Sequence, residues 1–199
     1  MRSAIVRVAT CLSLVACAPD TRFEVETDEV LAPLELLPCN LVAEGKPMVV
    51  LGAGDPIQLV LATQGGQVMY VGARARGMAP GPAELTTRLV EPETGEVWVE
   101  DGRGIEMIES VFAPGWLDPW VEGRGGISHL LACPDYSAAD LIGRPFRLEV
   151  ELTESRAPHH AGAASVLVTP TCSQLDATLR ALCECECSAG YYGGKCAKP

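Results

Sequence analysis

Between residues 41 and 170 apolar and polar positions alternate in short runs, the period of a strand with one buried face. The clearest run is Phe146-Arg147-Leu148-Glu149-Val150-Glu151-Leu152, where apolar and charged residues alternate without a break. Similar runs fall at 57–62, 67–75, 85–90, 96–100, 105–112, 127–132 and 165–169, separated by Gly, Pro and Asp. Glu91-Pro92-Glu93-Thr94-Gly95 has the composition of a turn and joins two runs as a hairpin.

No long amphipathic helix interrupts this series; Ser137 to Ile142 suffices for one helical turn before Gly143. Strand after strand with short turns predicts an all-β fold, an antiparallel sandwich of immunoglobulin-like or fibronectin-like type, with a jelly roll as the alternative. Residues 41–170 are enough for one core of that kind. Residues 17–40, rich in Asp, Glu, Thr and Pro, read as a flexible tether, extended or disordered. After residue 170 the pattern changes. Leu175, Leu179 and Leu182 are spaced by four and three, behind Ser173 and Asp176 placed as caps, which predicts a short helix over 173–182.

Nearer the start, Arg2 and Arg7 precede a short apolar stretch that ends in Leu14-Val15-Ala16-Cys17. This resembles the lipobox signal of bacterial lipoproteins. The resemblance implies that residues 1–16 are a signal peptide and that the Cys17 thiol carries the lipid. It also implies a protein held at the cell envelope, at the outer membrane by the rule that Ala18 rather than Asp follows the anchor. Ala16-Cys17-Ala18 also suits ordinary secretory cleavage, but Pro19 would then follow the scissile bond directly. The apolar stretch is well short of the roughly 20 residues that cross a bilayer.

Without residues 1–16 the chain carries 13 basic and 26 acidic residues, a formal charge of −13. Nucleic acid is therefore not an expected partner. Arg74, Arg76 and Arg88 stand among apolar and acidic neighbours and form no basic stripe. Membrane attachment falls to the lipid.

Of nine cysteines, Cys11 leaves with the signal and Cys17 takes the lipid. Cys39, Cys133, Cys172, Cys183, Cys185, Cys187 and Cys196 remain as disulfide candidates in an oxidising compartment, and their odd number leaves at least one over. One pairing open to the sequence joins Cys39 to Cys133. From Cys185 onward, Cys-x-Cys, Gly190-Tyr191, Gly193 and the closing Cys196 resemble the C-terminal half of an EGF-like module. The resemblance covers about 25 residues if Cys172 is included. It implies a Cys187–Cys196 bridge around the Gly-Tyr turn. The chain departs from that family in lacking a first pair of cysteines upstream, in the surplus Cys183, and in the helical pattern after Cys172. An unrelated disulfide-stapled tail is the alternative. The acid-and-asparagine signature of calcium-binding EGF modules is missing, and exported thiols oxidise before they collect zinc, so no metal or cofactor is predicted.

Catalytic motifs are missing too: there is no Gly-x-Ser-x-Gly elbow, no His-Glu-x-x-His helix and no phosphate-binding glycine loop. His129 reads as a strand residue and His159-His160 as a loop tip, with a surface metal chelate as the lesser reading. The acids Asp101 and Glu106 carry no assigned acid–base role. The strongest binding candidate is Phe112-Ala113-Pro114-Gly115-Trp116-Leu117-Asp118-Pro119-Trp120, which gathers two of the three tryptophans. Trp116 and Trp120 either stack on a glycan or anchor an envelope protein, or they cap an open end of the sandwich. The expectation is thus a lipid-anchored binding or structural module rather than an enzyme, with a loop-built envelope hydrolase as the alternative.

Overall fold

The computed structural model describes residues 33–42, 47–122, 126–133, 140–157, 159–191 and 195–196. The signal segment and Cys17 lie outside the described residues, as does half of the expected helical turn at 137–142.

Eleven strands and one helix make up the described chain: β1 (Glu35–Asn40), β2 (Val49–Val50), β3 (Asp55–Gln58), β4 (Val60–Leu61), β5 (Gln67–Arg76), β6 (Gly81–Val90), β7 (Val97–Glu109), β8 (Leu117–Pro119), β9 (Ser128–Cys133), β10 (Phe146–Glu154), β11 (Ala161–Thr171) and α1 (Ala177–Glu186). All strands belong to one sheet in the order β2-β1-β5-β8-β7-β6-β10-β11-β3, with β4 and β9 paired to β5. Every pairing is antiparallel except that of β3 with β11. The sheet is mixed and open, and it folds over into a sandwich-like all-β arrangement. Met69, Val71, Ala73 and Ala75 of β5 share a core with Leu85 and Leu89 of β6 and with Leu148, Val150 and Leu152 of β10. The two halves approach where the Leu34 N–H donates to the Ala161 carbonyl at 3.1 Å. At that junction a Cβ on Gly162 would stand 2.7 Å from the Leu34 Cβ and 2.8 Å from its carbonyl oxygen, so only glycine fits.

The alternation at 146–152 is realised in β10, where Phe146, Leu148, Val150 and Leu152 are buried and Arg147, Glu149 and Glu151 are not. Strand β1, however, falls within the stretch read as tether. Its Leu36 enters the main core, and its outer face is covered by a second apolar cluster of Cys39, Leu41, Met48, Val68, Tyr70 and Ile127. With this cluster on one side and the main core on the other, β5 is buried on both faces over most of its length. The runs read at 96–100 and 105–112 are one strand, β7, which passes through Asp101-Gly102-Arg103-Gly104 because β6 supplies an unbroken ladder alongside. The run read at 57–62 divides at Leu59 into β3 and β4.

The helix begins later than its leucine spacing suggests. Asp176 is the N-cap and accepts from the N–H groups of Thr178 and Leu179 at 2.8 and 2.9 Å. Leu175, Leu179 and Leu182 face solvent, Leu175 with 98% of its surface exposed, while Cys183 and Cys187 are buried. At 100° per residue, positions 183 and 187 share one helix side and 185 points the other way. That geometry sets the bridges: Cys133–Cys187, Cys172–Cys183 and Cys185–Cys196. The Cys187–Cys196 bridge implied by the EGF-like resemblance does not form, because Cys187 is turned toward the core and Cys185 toward the tail. Cys39 does not pair with Cys133 either. It is a free, buried thiol that donates to the Leu37 carbonyl at 3.2 Å.

Candidate functional site

The site grows from the turn between β7 and β8. Glu109 stands opposite Leu117 and Ile108 opposite Asp118. Leu117 is buried in the core, and by alternation Asp118 faces outward. There it meets Arg74 of β5 in a two-pronged pair, Nε to Oδ1 at 2.7 Å and Nη2 to Oδ2 at 3.1 Å. The hydrogen bond that Arg74 donates to Asp118 is the main cause that pushes the guanidinium above its ordinary range, so the pair stays charged.

Asp118 also accepts from the Ser110 hydroxyl, and the Ser110 oxygen in turn accepts from the N–H groups of Phe112 and Ala113 at 3.3 and 3.0 Å. Two backbone bonds close the loop, Ser110 N–H to the Trp116 carbonyl at 2.9 Å and Trp116 N–H to the Ala113 carbonyl at 3.1 Å. Gly115 takes the left-handed conformation the turn demands, at φ 81°. The loop is thus held by its own hydrogen bonds while its apolar side chains stand outside the core. Val111 is 84% exposed, Phe112 62% and Trp120 52%.

These side chains wall an open groove of about 460 Å³. Pro47, Met48, Ile108, Pro119 and Val121 supply its apolar surface, and Glu109 and Glu122 stand at its margin. A second hollow of about 370 Å³ continues past Trp120 and Glu122 to Glu84, Gly104 and Glu106. Trp120 is common to both. Its backbone N–H donates to the Glu106 carbonyl at 2.8 Å, which fixes the residue against β7.

The two tryptophans do different things. Trp116 lines a separate hollow with Met78, Pro80 and Glu109, and the Arg76 guanidinium lies 4.7 Å from the centre of its ring. Arg76 is itself paired with Glu35. Trp116 is therefore partly occupied within the protein, whereas Trp120 presents its ring to the groove. Trp98, the third, packs edge-on against Phe146 with ring centres 5.4 Å apart.

The remaining candidates have internal partners. The His129 ring meets Tyr70 edge-on at 4.8 Å. His159 Nδ1 lies 3.0 Å from the Glu154 carbonyl, and His160 Nδ1 lies 3.0 Å from the Glu154 carboxylate, so both rings are engaged at the β10–β11 turn. Asp101 is bound by Arg103 at 2.8 and 2.9 Å and by the His129 N–H at 2.9 Å. Burial raises its carboxyl, but these bonds and one from Ser128 outweigh it and hold the group below its usual range. Asp101 thus ties β7 to β9, while Glu106 points into the Trp120 hollow. The sulfurs of Cys172, Cys183 and Cys187 lie within 4.8 Å of one another, but all belong to disulfides and none is a free thiolate. Burial pushes the Cys39 thiol up to about 11, which leaves it protonated at neutral pH.

Sequence reasoning picked out Trp120 and missed the floor. Phe112 stood in the same candidate stretch, and the signal beside it was Val111, a second apolar residue in direct succession after a regular alternation. In a strand one of them has to face outward.

No family model matches the chain, no curated protein matches it, and no solved structure matches it. Among the described residues, no helix is long and apolar enough to cross a membrane.

Proposed function

We propose that this protein is a lipid-anchored module of the bacterial cell envelope that binds a ligand in the groove beside Trp120, rather than an enzyme. The observation that carries the reading is a pair of exposed aromatic rings in fixed positions: Phe112 on the β7–β8 loop held by Ser110 and Asp118, and Trp120 just after β8, held to β7 by its N–H on the Glu106 carbonyl. A large apolar side chain held outward by a rigid frame costs solvation in the free protein. It recovers that cost when a partner covers it. Rigid framing also lowers the entropy lost on binding.

The envelope address rests on the lipobox-like Leu14-Val15-Ala16-Cys17 and is supported by the three disulfides, which suit an oxidising compartment. One lipid chain alone holds a protein only marginally, and the several chains of a bacterial lipoprotein hold it stably. Residues between Cys17 and β1 then set the reach of the groove above the membrane.

The intact mass of the protein from the membrane fraction, with its N-terminal peptide mapped, tests the address. A chain starting at an acylated Cys17 is the expected result. An unmodified chain starting elsewhere in the soluble fraction would remove the anchor and leave the groove as the site of a secreted protein.

A further inference from the structure

We infer that the ligand of the Trp120 groove is a cationic polypeptide segment carrying an apolar anchor side chain; this rests on the groove being the binding surface and goes on to name what it binds. Among the described residues, the groove and the hollow that continues it are lined by Glu84, Glu106, Glu109, Glu122 and Asp118, and by no lysine, arginine or histidine. Asp118 is neutralised by Arg74. The four glutamates form no ion pair among the described residues. Of the nearby described arginines, Arg76 is committed to Glu35 and Arg103 to Asp101, which leaves Arg156, next to Ser155 at the edge of the second hollow, against four glutamates. The aromatic walls therefore sit in a field of unbalanced negative charge, within a chain of net charge −11.

That combination discriminates among ligands. Anionic partners, including nucleic acid and the headgroups of acidic lipids, are repelled. A neutral glycan stacks on the indole and finds acceptors in the carboxylates, but it leaves their negative charge unbalanced. A basic peptide satisfies both parts: an aliphatic or aromatic side chain fills the space between Phe112 and Trp120, and flanking ammonium or guanidinium groups meet the carboxylates and the indole face.

Spacing sharpens the expectation. Ile108 and Glu106 lie on the same side of β7, two residues or about 7 Å apart. Glu109 and Glu122 flank the groove, and Glu84 and Glu106 extend the charge beyond Trp120. Basic residues on both sides of the anchor, within a few positions of it, match this layout.

The test uses the full mature, oxidised protein and one labelled peptide with a central Phe, made in three versions with Lys, Ser or Glu at the flanking positions. Fluorescence anisotropy reads binding, and vesicles of phosphatidylethanolamine with phosphatidylglycerol serve as the lipid probe. The Lys version should bind about tenfold or more tighter than the Ser version, and the difference should shrink as salt rises from about 0.05 to about 0.5 M. Glu109→Gln with Glu122→Gln should bring the Lys peptide to the Ser level, and Phe112→Ser with Trp120→Ser should remove binding of both. Equal binding of the Lys and Ser peptides, abolished by the aromatic double variant, would overturn the cationic ligand while leaving the groove as the site. Preference for the Glu peptide or for the vesicles, or no binding by the Lys peptide, would overturn it as well.

Discussion

Arg74 and Asp118 form a two-pronged ion pair across β5 and β8, with side chains only 12% and 15% exposed. It is the point where the body of the sheet grips the loop that presents Phe112, because Asp118 also accepts from Ser110. Rigidity at the groove therefore depends on a charge pair whose aspartate is already neutralised within the protein.

Asp118→Ala should cost about 2–4 kcal/mol in thermal or denaturant unfolding, since it leaves a largely covered guanidinium unpaired and frees Ser110. Joint replacement by Arg74→Met and Asp118→Leu should cost clearly less than the single change. That difference is the double-mutant signature of a penalty from the stranded charge. Equal losses in the two variants would show that the loop, not the charge, dominates.

Cys39 gives the folded protein a pH dependence. Its thiol ordinarily titrates near 9.0 and is raised to about 11 in the fold, chiefly by burial. The folded state holds this proton more tightly, so the contribution is complete below pH 9 and is lost as pH rises from 9.0 toward about 11. Urea unfolding at pH 8 and pH 10 should show wild type losing more stability than Cys39→Ala across that interval. Parallel losses would mean that the thiolate is not excluded by the fold.

Non-reducing peptide mapping should recover Cys133–Cys187, Cys172–Cys183 and Cys185–Cys196. Unfolding without reductant should leave Cys39 as the alkylating thiol among residues 33–196. Cys133–Cys187 closes a separation of 54 residues and the other two close 11 each. By loop entropy its removal should cost about 4 kcal/mol against about 3 kcal/mol for either of the others. Recovery of Cys187–Cys196 instead would require α1 to be unwound at its end.

Strands with one dry and one wet face were legible in the sequence, and β10 is the clearest instance. Those with both faces covered were not. Glu35-Leu36-Leu37-Pro38-Cys39-Asn40 has no alternation because the second apolar cluster lies over it, and neither Pro38 nor the acidic residues before it suggest a strand. In β7, Gly102 and Gly104 read as a break, yet the ladder from β6 carries the strand through. The cysteines were recognisable as disulfide partners, but their pairing depended on where α1 begins. Asp176 rather than Ser173 caps the helix, and that choice turns Cys183 and Cys187 inward. Of the site, Trp120 was visible as an aromatic in a loop. The groove was not, since Met48 before β2, Ile108 of β7 and Trp120 after β8 are far apart in sequence and meet only in the folded sheet, where Met48 and Pro119 both lie against Gly72 of β5.

The most direct measurement is hydroxyl-radical footprinting of the protein in intact cell envelopes and, for comparison, after purification. Phe112 and Trp120 should oxidise several-fold more slowly in the envelope, on the order of the protection that burying an anchor side chain confers. Leu175 and Val97, exposed elsewhere on the surface, should react equally in both. Equal rates at Phe112 and Trp120, or protection confined to Leu175, Leu179 and Leu182 of the helix, would contradict the groove as the binding surface.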